Sequence, residues 1–279
     1  MFPAFQRIAQ ACIFAAAAFS SSFAAAQSEV PFITSPDNVT LEMLKISNVG
    51  PGDHVIDLGS GDGRIVILAA KRFGATGLGV EIVPDLVDRS IENARNAGVA
   101  DRVAFRVQDL FTTDLSQATV ITMYLLPDVN LQLRPSVLAL KPGTRIVSHD
   151  WDMGDWKPDR TVVVDVPDKK VGLEKSSKVH LWTVPAKVDG LWCGAGMLRG
   201  SSVRLNQRYQ EFDGTLMYRK RTRALTGRID GATLRSVTER AGELVLQLAD
   251  GQLRIAAAGG PLALAKGQSF VRATAAGCG

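Results

Sequence analysis

The segment Val55-Ile56-Asp57-Leu58-Gly59-Ser60-Gly61-Asp62-Gly63-Arg64 joins an apolar strand to a helix through glycines at every second position. A strand that ends in such a turn feeds a helix that packs back onto the sheet, which points to a layered α/β architecture. Glycine at 59 and 61 implies backbone brought close to a ligand, where a side chain would fill the space. The helix that follows directs its unpaired N–H groups and the positive end of its dipole at the same place. The spacing is GxGxG, unlike the GxGxxG of dinucleotide-binding folds or the GxxxxGK[ST] of phosphate-binding loops. No Lys follows that could grip a triphosphate. The competing reading is a glycine-rich turn that only connects strand and helix.

From His54 to about Val184 strand-like and helix-like patterns alternate, the signature of a parallel sheet covered on both faces. Strand His54–Leu58 runs into helix Arg64–Phe73, whose Ile65, Leu68 and Ala69 share a face. Strand Gly77–Ile82 follows, and Pro84 opens a helix through about Asn96 that ends at Gly98. Strands 103–107 and 118–124, a helix over 129–140 and a strand over 145–148 continue the rhythm. The strands over 161–166 and 178–183 come without a helix between them, which predicts a closing antiparallel hairpin. Upstream, Ser35-Pro36 reads as an N-cap followed by proline at the first helical position, opening a helix through Ile46 beside the ligand site.

The strand with an acid two residues before its first glycine resembles the first motif of class I S-adenosylmethionine-dependent methyltransferases. That resemblance implies seven strands, mostly parallel, with helices on both faces, and S-adenosylmethionine as the cofactor. Asp57 then suits the amino-acid end of the ligand, with Gly59, Ser60, Gly61 and Gly63 forming the turn beneath it. Open α/β sheets bind ligands at the carboxyl ends of their strands, so successive strand ends should carry the remaining contacts. Glu81, next to Ile82, can accept from ribose hydroxyls. Gln108-Asp109-Leu110 offers an acid for an adenine amino group and an apolar side chain to pack on the ring. The segments Pro31-Phe32-Ile33-Thr34-Ser35-Pro36, Asp57 to Val66, Asn130-Leu131-Gln132-Leu133 and Trp156-Lys157-Pro158-Asp159 are similar to lysine methyltransferases related to the one that modifies the c subunit of mitochondrial ATP synthase. The resemblance spans roughly residues 30–185, and it adds Pro36 to the expected cofactor contacts.

Methyl transfer from a sulfonium is an in-line displacement, so the protein must desolvate, align and present a neutral nucleophile; no metal is expected. The acceptor should sit above the fourth and fifth strand ends, at Tyr124-Leu125-Leu126-Pro127 and His149-Asp150-Trp151-Asp152. Tyr124 is expected to line the methyl channel and Trp151 to stack on an ammonium or alkyl stem. Asp150 or Asp152 is expected to hold a lysine, and His149 to take its proton. The chain lacks [DNS]PP[YF], which lowers nucleic-acid and glutamine acceptors. A protein lysine is the expected acceptor; a small molecule, or an exported binding protein with a degenerate cofactor fold, are the alternatives.

Residues 1–26 combine an early Arg7, an apolar run from Ala11 to Phe19 and an AxA site at Ala24-Ala25-Ala26, which reads as a secretory signal and predicts a periplasmic or secreted protein. The alternative is an uncleaved membrane anchor. Cys12 leaves with that segment, so Cys193 and Cys278 are a candidate disulfide, with two unpaired thiols as the alternative. Residues 27–186 are then the methyltransferase domain, and residues 187–279, with short alternating runs broken by glycine, a small all-β sandwich or barrel. Leu191-Trp192 and Tyr209-Gln210-Glu211-Phe212 are expected in its core. The net charge of +4 hides a strongly basic last third whose densest run is Arg219-Lys220-Arg221 with Arg223. Such a run suits a solvated face, or contact with a membrane surface or an acidic envelope partner.

Overall fold

The computed structural model describes residues 33–169, 174–238, 242–275, 277 and 278. The segment read as a signal, residues 1–26, lies outside the described residues. Strands β1 (His54–Leu58), β2 (Thr76–Glu81), β3 (Val103–Val107), β4 (Val120–Met123), β5 (Arg145–His149), β6 (Arg160–Asp165) and β7 (Ser176–Thr183) form one sheet of order β3-β2-β1-β4-β5-β7-β6. Neighbours from β3 to β5 pair in parallel, and β7 runs antiparallel to both β5 and β6. This is the seven-stranded, mostly parallel arrangement that the methyltransferase resemblance implies. The order reverses at β1 and β4, where an open sheet splays its connections and leaves a crevice at the carboxyl ends.

Helices α1 (Asp37–Ile46), α2 (Arg64–Phe73), α3 (Pro84–Asn96) and α4 (Pro127–Val137) supply the outer layers. Adjacent strand residues face opposite sides: Ile56, Ile121 and Ile146 pack with Leu133 and Val137 of α4, whereas Val55, Val120 and Val147 pack with Val39 and Met43 of α1 and Ile65 and Ala69 of α2. The near-continuous apolar run of each central strand follows from this two-sided burial. Helix α4 departs from the expected span. It opens at Pro127, whose missing N–H costs nothing at a first turn, and residues 138–140 continue only as tightened turns, Ala139 N donating to Ser136 O and Leu140 N to Val137 O. Ser35 also departs from its expected role. Pro36 occupies the N-cap position of α1 without a side-chain bond, and the Ser35 hydroxyl turns inward to His149.

Beyond Val188 the chain closes into an antiparallel barrel of β8 (Gly190–Gly194), β9 (Ser202–Arg208), β10 (Glu211–Tyr218), β11 (Arg221–Asp230), β12 (Thr233–Thr238), β13 (Gly242–Ala249), β14 (Gln252–Ala258) and β15 (Ser269–Arg272), with β15 pairing β8. Closure leaves no sheet edge to guard. Trp192, Leu205, Phe212, Leu216, Leu234, Leu253 and Phe270 fill the interior. Gly214 and Gly227 mark tight corners: a Cβ there would come within about 2.0 and 2.1 Å of the Arg204 and Arg235 carbonyl oxygens. Cys193 and Cys278 are disulfide-bonded, pinning the chain end to β8. One end of the barrel is fastened to the sheet domain. Gln210 Nε2 donates to Lys157 O at 2.7 Å, Ala186 N to Gly231 O at 2.7 Å, and Arg228 pairs with Asp159 at 2.8 Å. Tyr209, expected in the barrel core, instead stacks on Trp156 and donates to the Asp155 carboxylate at 3.1 Å.

Candidate functional site

The glycine turn is held from below. Gly59 N and Ser60 N both donate to Val80 O at 2.9 Å, which draws the turn over the end of β2. Ser90 Oγ donates to Gly61 O at 2.9 Å, and Asn93 Nδ2 to Asp62 O at 2.9 Å, so α3 anchors the far side. Gly59, Gly61 and Gly63 all have left-handed φ, from +54° to +78°, a region that strongly favours glycine. At Gly59 a Cβ would stand 3.0 Å from Leu125 Cδ2. At Gly63 it would strike the Phe105 ring at 2.7 Å and Ser90 Cβ at 2.9 Å, so this glycine serves helix packing as well as the turn.

The acids at the strand ends have distinct environments. Asp57 is buried, and its Oδ1 accepts from Thr122 Oγ1 at 2.7 Å across the β1–β4 pair. Burial pushes its carboxyl up to about 7; the Thr122 bond opposes this, and the charges of Glu81 and Asp62 add to it. Only 2% of Asp57 is exposed, so the carboxyl at the end of β1 is withdrawn from solvent. Glu81 accepts from Gly61 N at 3.0 Å with Oε2, and from Ile82 N at 2.8 Å and Val83 N at 3.1 Å with Oε1. Four lone-pair positions leave room for a hydroxyl donor beside these bonds. Ile82 is exposed. Asp109 Oδ1 caps the 3-10 turn Leu110–Thr112 by accepting from Phe111 N at 2.8 Å, leaving its second oxygen outward. Gln108 Nε2 is engaged by Thr113 Oγ1 at 3.1 Å, so its side chain braces the turn, and Leu110 packs against the sheet core. Pro36 lies half-buried at the start of α1.

At the ends of β4 and β5 the expected acceptor groups gather, with changed roles. His149 is 1% exposed and its ring stacks on Tyr124 at 3.9 Å between centroids. Nδ1 meets Ser35 Oγ at 2.8 Å and Nε2 meets Ser177 Oγ at 2.9 Å, so both ring nitrogens are occupied. Burial pushes its pKa down to about 4, with Lys169 adding to the shift and Asp150 opposing it. The expected proton acceptor is thus a neutral ring that fixes Tyr124, because desolvation outweighs the neighbouring carboxylate. Asp150 has φ +63°, and its Oδ1 accepts from Lys178 N at 2.9 Å. Its Oδ2 holds Lys169 Nζ at 2.8 Å, and Lys169 also donates to Ser176 O at 2.7 Å. Burial alone would raise the Asp150 carboxyl; the Lys169 and Lys178 hydrogen bonds outweigh it and keep the group ionised. Asp152 accepts from Gly154 N at 2.9 Å in a local turn and is exposed, as is Trp151. Asn130 is fully buried and its Nδ2 reaches Ser148 Oγ at 3.2 Å and the carbonyls of Trp151 and Asp152 at 3.2 and 3.3 Å, which sets the path of the loop after β5.

Residues 57–160 match the family described as the ANTKMT methyltransferase domain. A protein-lysine N-methyltransferase from Saccharolobus islandicus is 41% identical over 138 residues, covering 49% of this chain and 86% of that protein. The chain belongs to this methyltransferase family. The human ATP synthase c-subunit lysine N-methyltransferase is 32% identical over 131 residues, 47% of this chain and 55% of that protein, so the match spans about half of the human relative. The crystal structure of an RNA methyltransferase from Salinibacter ruber in complex with S-adenosyl-L-homocysteine is similar at 50% identity with a TM-score of 0.51, covering 56% of this chain and 96% of that one.

The cofactor of this methyltransferase is S-adenosylmethionine, and the residues present fit it. The Gly59 turn leaves a cradle that a side chain would narrow against Leu125. The buried Asp57 at the end of β1 needs a cationic neighbour to ionise freely, and Glu81 retains acceptor capacity for hydroxyls. When bound, the cofactor supplies a methyl group already activated on a sulfonium. The chain's share of the chemistry is to orient, to exclude water and to present the nucleophile. Sequence reasoning did not single out Thr122, Ser177 or Lys169. Thr122 could have been found from its register opposite Asp57; Lys169 reaches Asp150 from a loop between two later strands, and no local pattern signals it.

Proposed function

We propose that this methyltransferase methylates the side-chain amine of a protein lysine. The observation that carries the reading is that the end of β5 is chemically suited to a lysine ammonium. There Lys169 Nζ lies between the Asp150 carboxylate at 2.8 Å and the Ser176 carbonyl at 2.7 Å, next to the Tyr124–His149 stack. An acceptor lysine arriving at Asp150 would exchange with Lys169 and find the same partners. The exposed Leu126, Leu131 and Trp151 surround this end of the sheet and would take up the alkyl stem and its neighbours. The ammonium must lose a proton before it attacks. Both ring nitrogens of the buried His149 are already engaged by Ser35 and Ser177, so the exposed Asp152 carboxylate or solvent is the path we assign to the proton. The names of the archaeal and human relatives support a lysine acceptor.

Incubating the full chain with labelled cofactor and cell fractions, then separating protein, RNA and metabolites, tests this. Label on lysine in the protein fraction is expected. Label confined to RNA, as the name of the Salinibacter relative would suggest, or to metabolites, would contradict it. We also propose that the protein resides outside the cytoplasm, on the strength of the signal-like residues 1–26 and the Cys193–Cys278 disulfide. Fractionation with mass measurement of the N-terminus should find a chain beginning at Gln27 in the exported fraction; Met1 retained in the cytoplasm would refute the placement.

A further inference from the structure

The two ends of the barrel differ in chemistry. Strands alternate in direction around a closed antiparallel barrel, so the connections that follow β8, β10, β12 and β14 lie at one end, and those that follow β9, β11 and β13 at the other. The second end carries Tyr209, Gln210 and Gly231 and is fastened to the sheet domain. It mixes Asp189, Glu211, Asp230 and Asp250 with Lys187, Arg208, Arg228 and Arg272, so its charges are of both signs. The first end points away from that junction. Glu243 at the start of β13 pairs there with Arg235, and the connections present Arg199, Arg219, Lys220, Arg221 and Lys266, all exposed. Among the described residues none of these connection residues is in an ion pair, and Arg219 lies over the Tyr218 ring at 5.1 Å.

Two large apolar side chains stand out from the same end. Met197 is 70% exposed on the 3-10 turn Gly196–Leu198, and Leu264 is 88% exposed on the turn Gly260–Ala265. The turns are neighbours, since β15 pairs with both β8 and β14 and Ala195 N donates to Ser269 O at 2.9 Å. The turns are themselves anchored: Leu198, Leu262 and Ala265 point inward to the barrel core, so Met197 and Leu264 are held outward. The basic β10–β11 tip lies two strand spacings from β8, about 10 Å away.

We propose that this end of the barrel docks on an anionic phospholipid surface, with the basic groups on headgroup phosphates and Met197 and Leu264 entering the headgroup–acyl boundary. The pairing of clustered positive charge with rigidly presented apolar side chains selects a bilayer over a purely acidic polymer, which has no use for the apolar pair. The contact proposed is peripheral, made by side chains of the barrel end; no helix among the described residues is long and apolar enough to cross a membrane. The proposal is independent of the acceptor.

Cosedimentation of the full chain with phosphatidylcholine vesicles, with and without 30% phosphatidylglycerol, tests it. Binding to the anionic vesicles and release by high salt are expected. Arg219→Glu/Lys220→Glu/Arg221→Glu should lower the partition coefficient at least ~10-fold, each basic group contributing attraction at such a surface. Met197→Asp/Leu264→Asp should also weaken it, and with both side chains already in solvent the thermal unfolding midpoint should not change. The proposal fails if wild type ignores anionic vesicles, or if both variants bind undiminished, which would place the contact elsewhere, including residues 1–26. Binding to polyglutamate as strong as to vesicles and indifferent to Met197→Asp/Leu264→Asp would assign the surface to acidic proteins and overturn the bilayer.

Discussion

Cofactor binding should expel a proton from Asp57, and pH is the perturbation that reveals it. The carboxyl sits at about 7 because it is buried at the end of β1 with Glu81 and Asp62 nearby and one hydrogen bond from Thr122. At pH 6 only about a tenth of the free protein carries the ionised form; at pH 8 about nine-tenths does. A cationic ligand above the turn favours ionisation, so binding should release about 0.9 proton at pH 6 and about 0.1 at pH 8. Affinity should accordingly rise about tenfold between pH 6 and pH 8, worth about 1.4 kcal/mol, and then flatten. Titration calorimetry of S-adenosylmethionine in buffers of different ionisation enthalpy counts the protons directly. Asp57→Asn keeps an acceptor for Thr122 but cannot ionise, and should abolish the release while weakening binding at pH 8. The same substitution should stabilise the free protein at high pH. A group whose pKa is raised on folding contributes stability below its unfolded value of 3.8 and loses it as pH rises through 7. No proton release at pH 6, or an unchanged release in Asp57→Asn, would refute the argument.

His149 titrates the opposite way. Its pKa falls from 6.5 to about 4 on folding, so the fold should lose up to about 3 kcal/mol as pH drops through that window, and His149→Phe, which cannot charge, should flatten the acid limb of the stability curve measured by denaturant titration. Lys169→Ala removes the ammonium that competes for Asp150, so the KM for a lysine acceptor should fall several-fold in steady-state assays, whereas Asp150→Asn should raise it. Trp156 is fully buried between Trp182 and Tyr209 and accepts a hydrogen bond from Trp182 Nε1 at its carbonyl; Trp156→Ala should cost about 3–5 kcal/mol and loosen the barrel from the sheet domain, read as increased hydrogen exchange at Tyr209 and Gln210.

The sheet was legible because each of its central strands is buried on both faces and reads as an apolar run, and because Pro84 and Gly98 bracket α3 by their own backbone limits. The barrel was legible as β structure but not in full. Strand β12 carries Arg235 and an inward Ser236 between its apolar residues, and β8 is a short Leu191-Trp192-Cys193 between glycines, so neither shows a clean period of two. Tyr209 escaped because its turn docks outside the barrel, on Trp156 and Asp155, a tertiary demand with no local sign. At the site the positions of the strand-end acids follow from strand geometry, whereas their protonation does not. Whether His149 is a base or a buried neutral ring depends on Ser35 and Ser177, residues 114 and 28 positions away, and on how completely the chain excludes water there.

Transfer of a methyl group from S-adenosylmethionine to a protein lysine at the end of β5 is the central proposal. Intact and peptide mass spectrometry of protein fractions incubated with the purified full chain and methyl-deuterated cofactor measures this directly. The expected result is a labelled methyl on a lysine Nζ that is reduced with Asp57→Asn at pH 8 and with Asp150→Asn. Cofactor binding without any labelled lysine, or label on RNA alone, would contradict it.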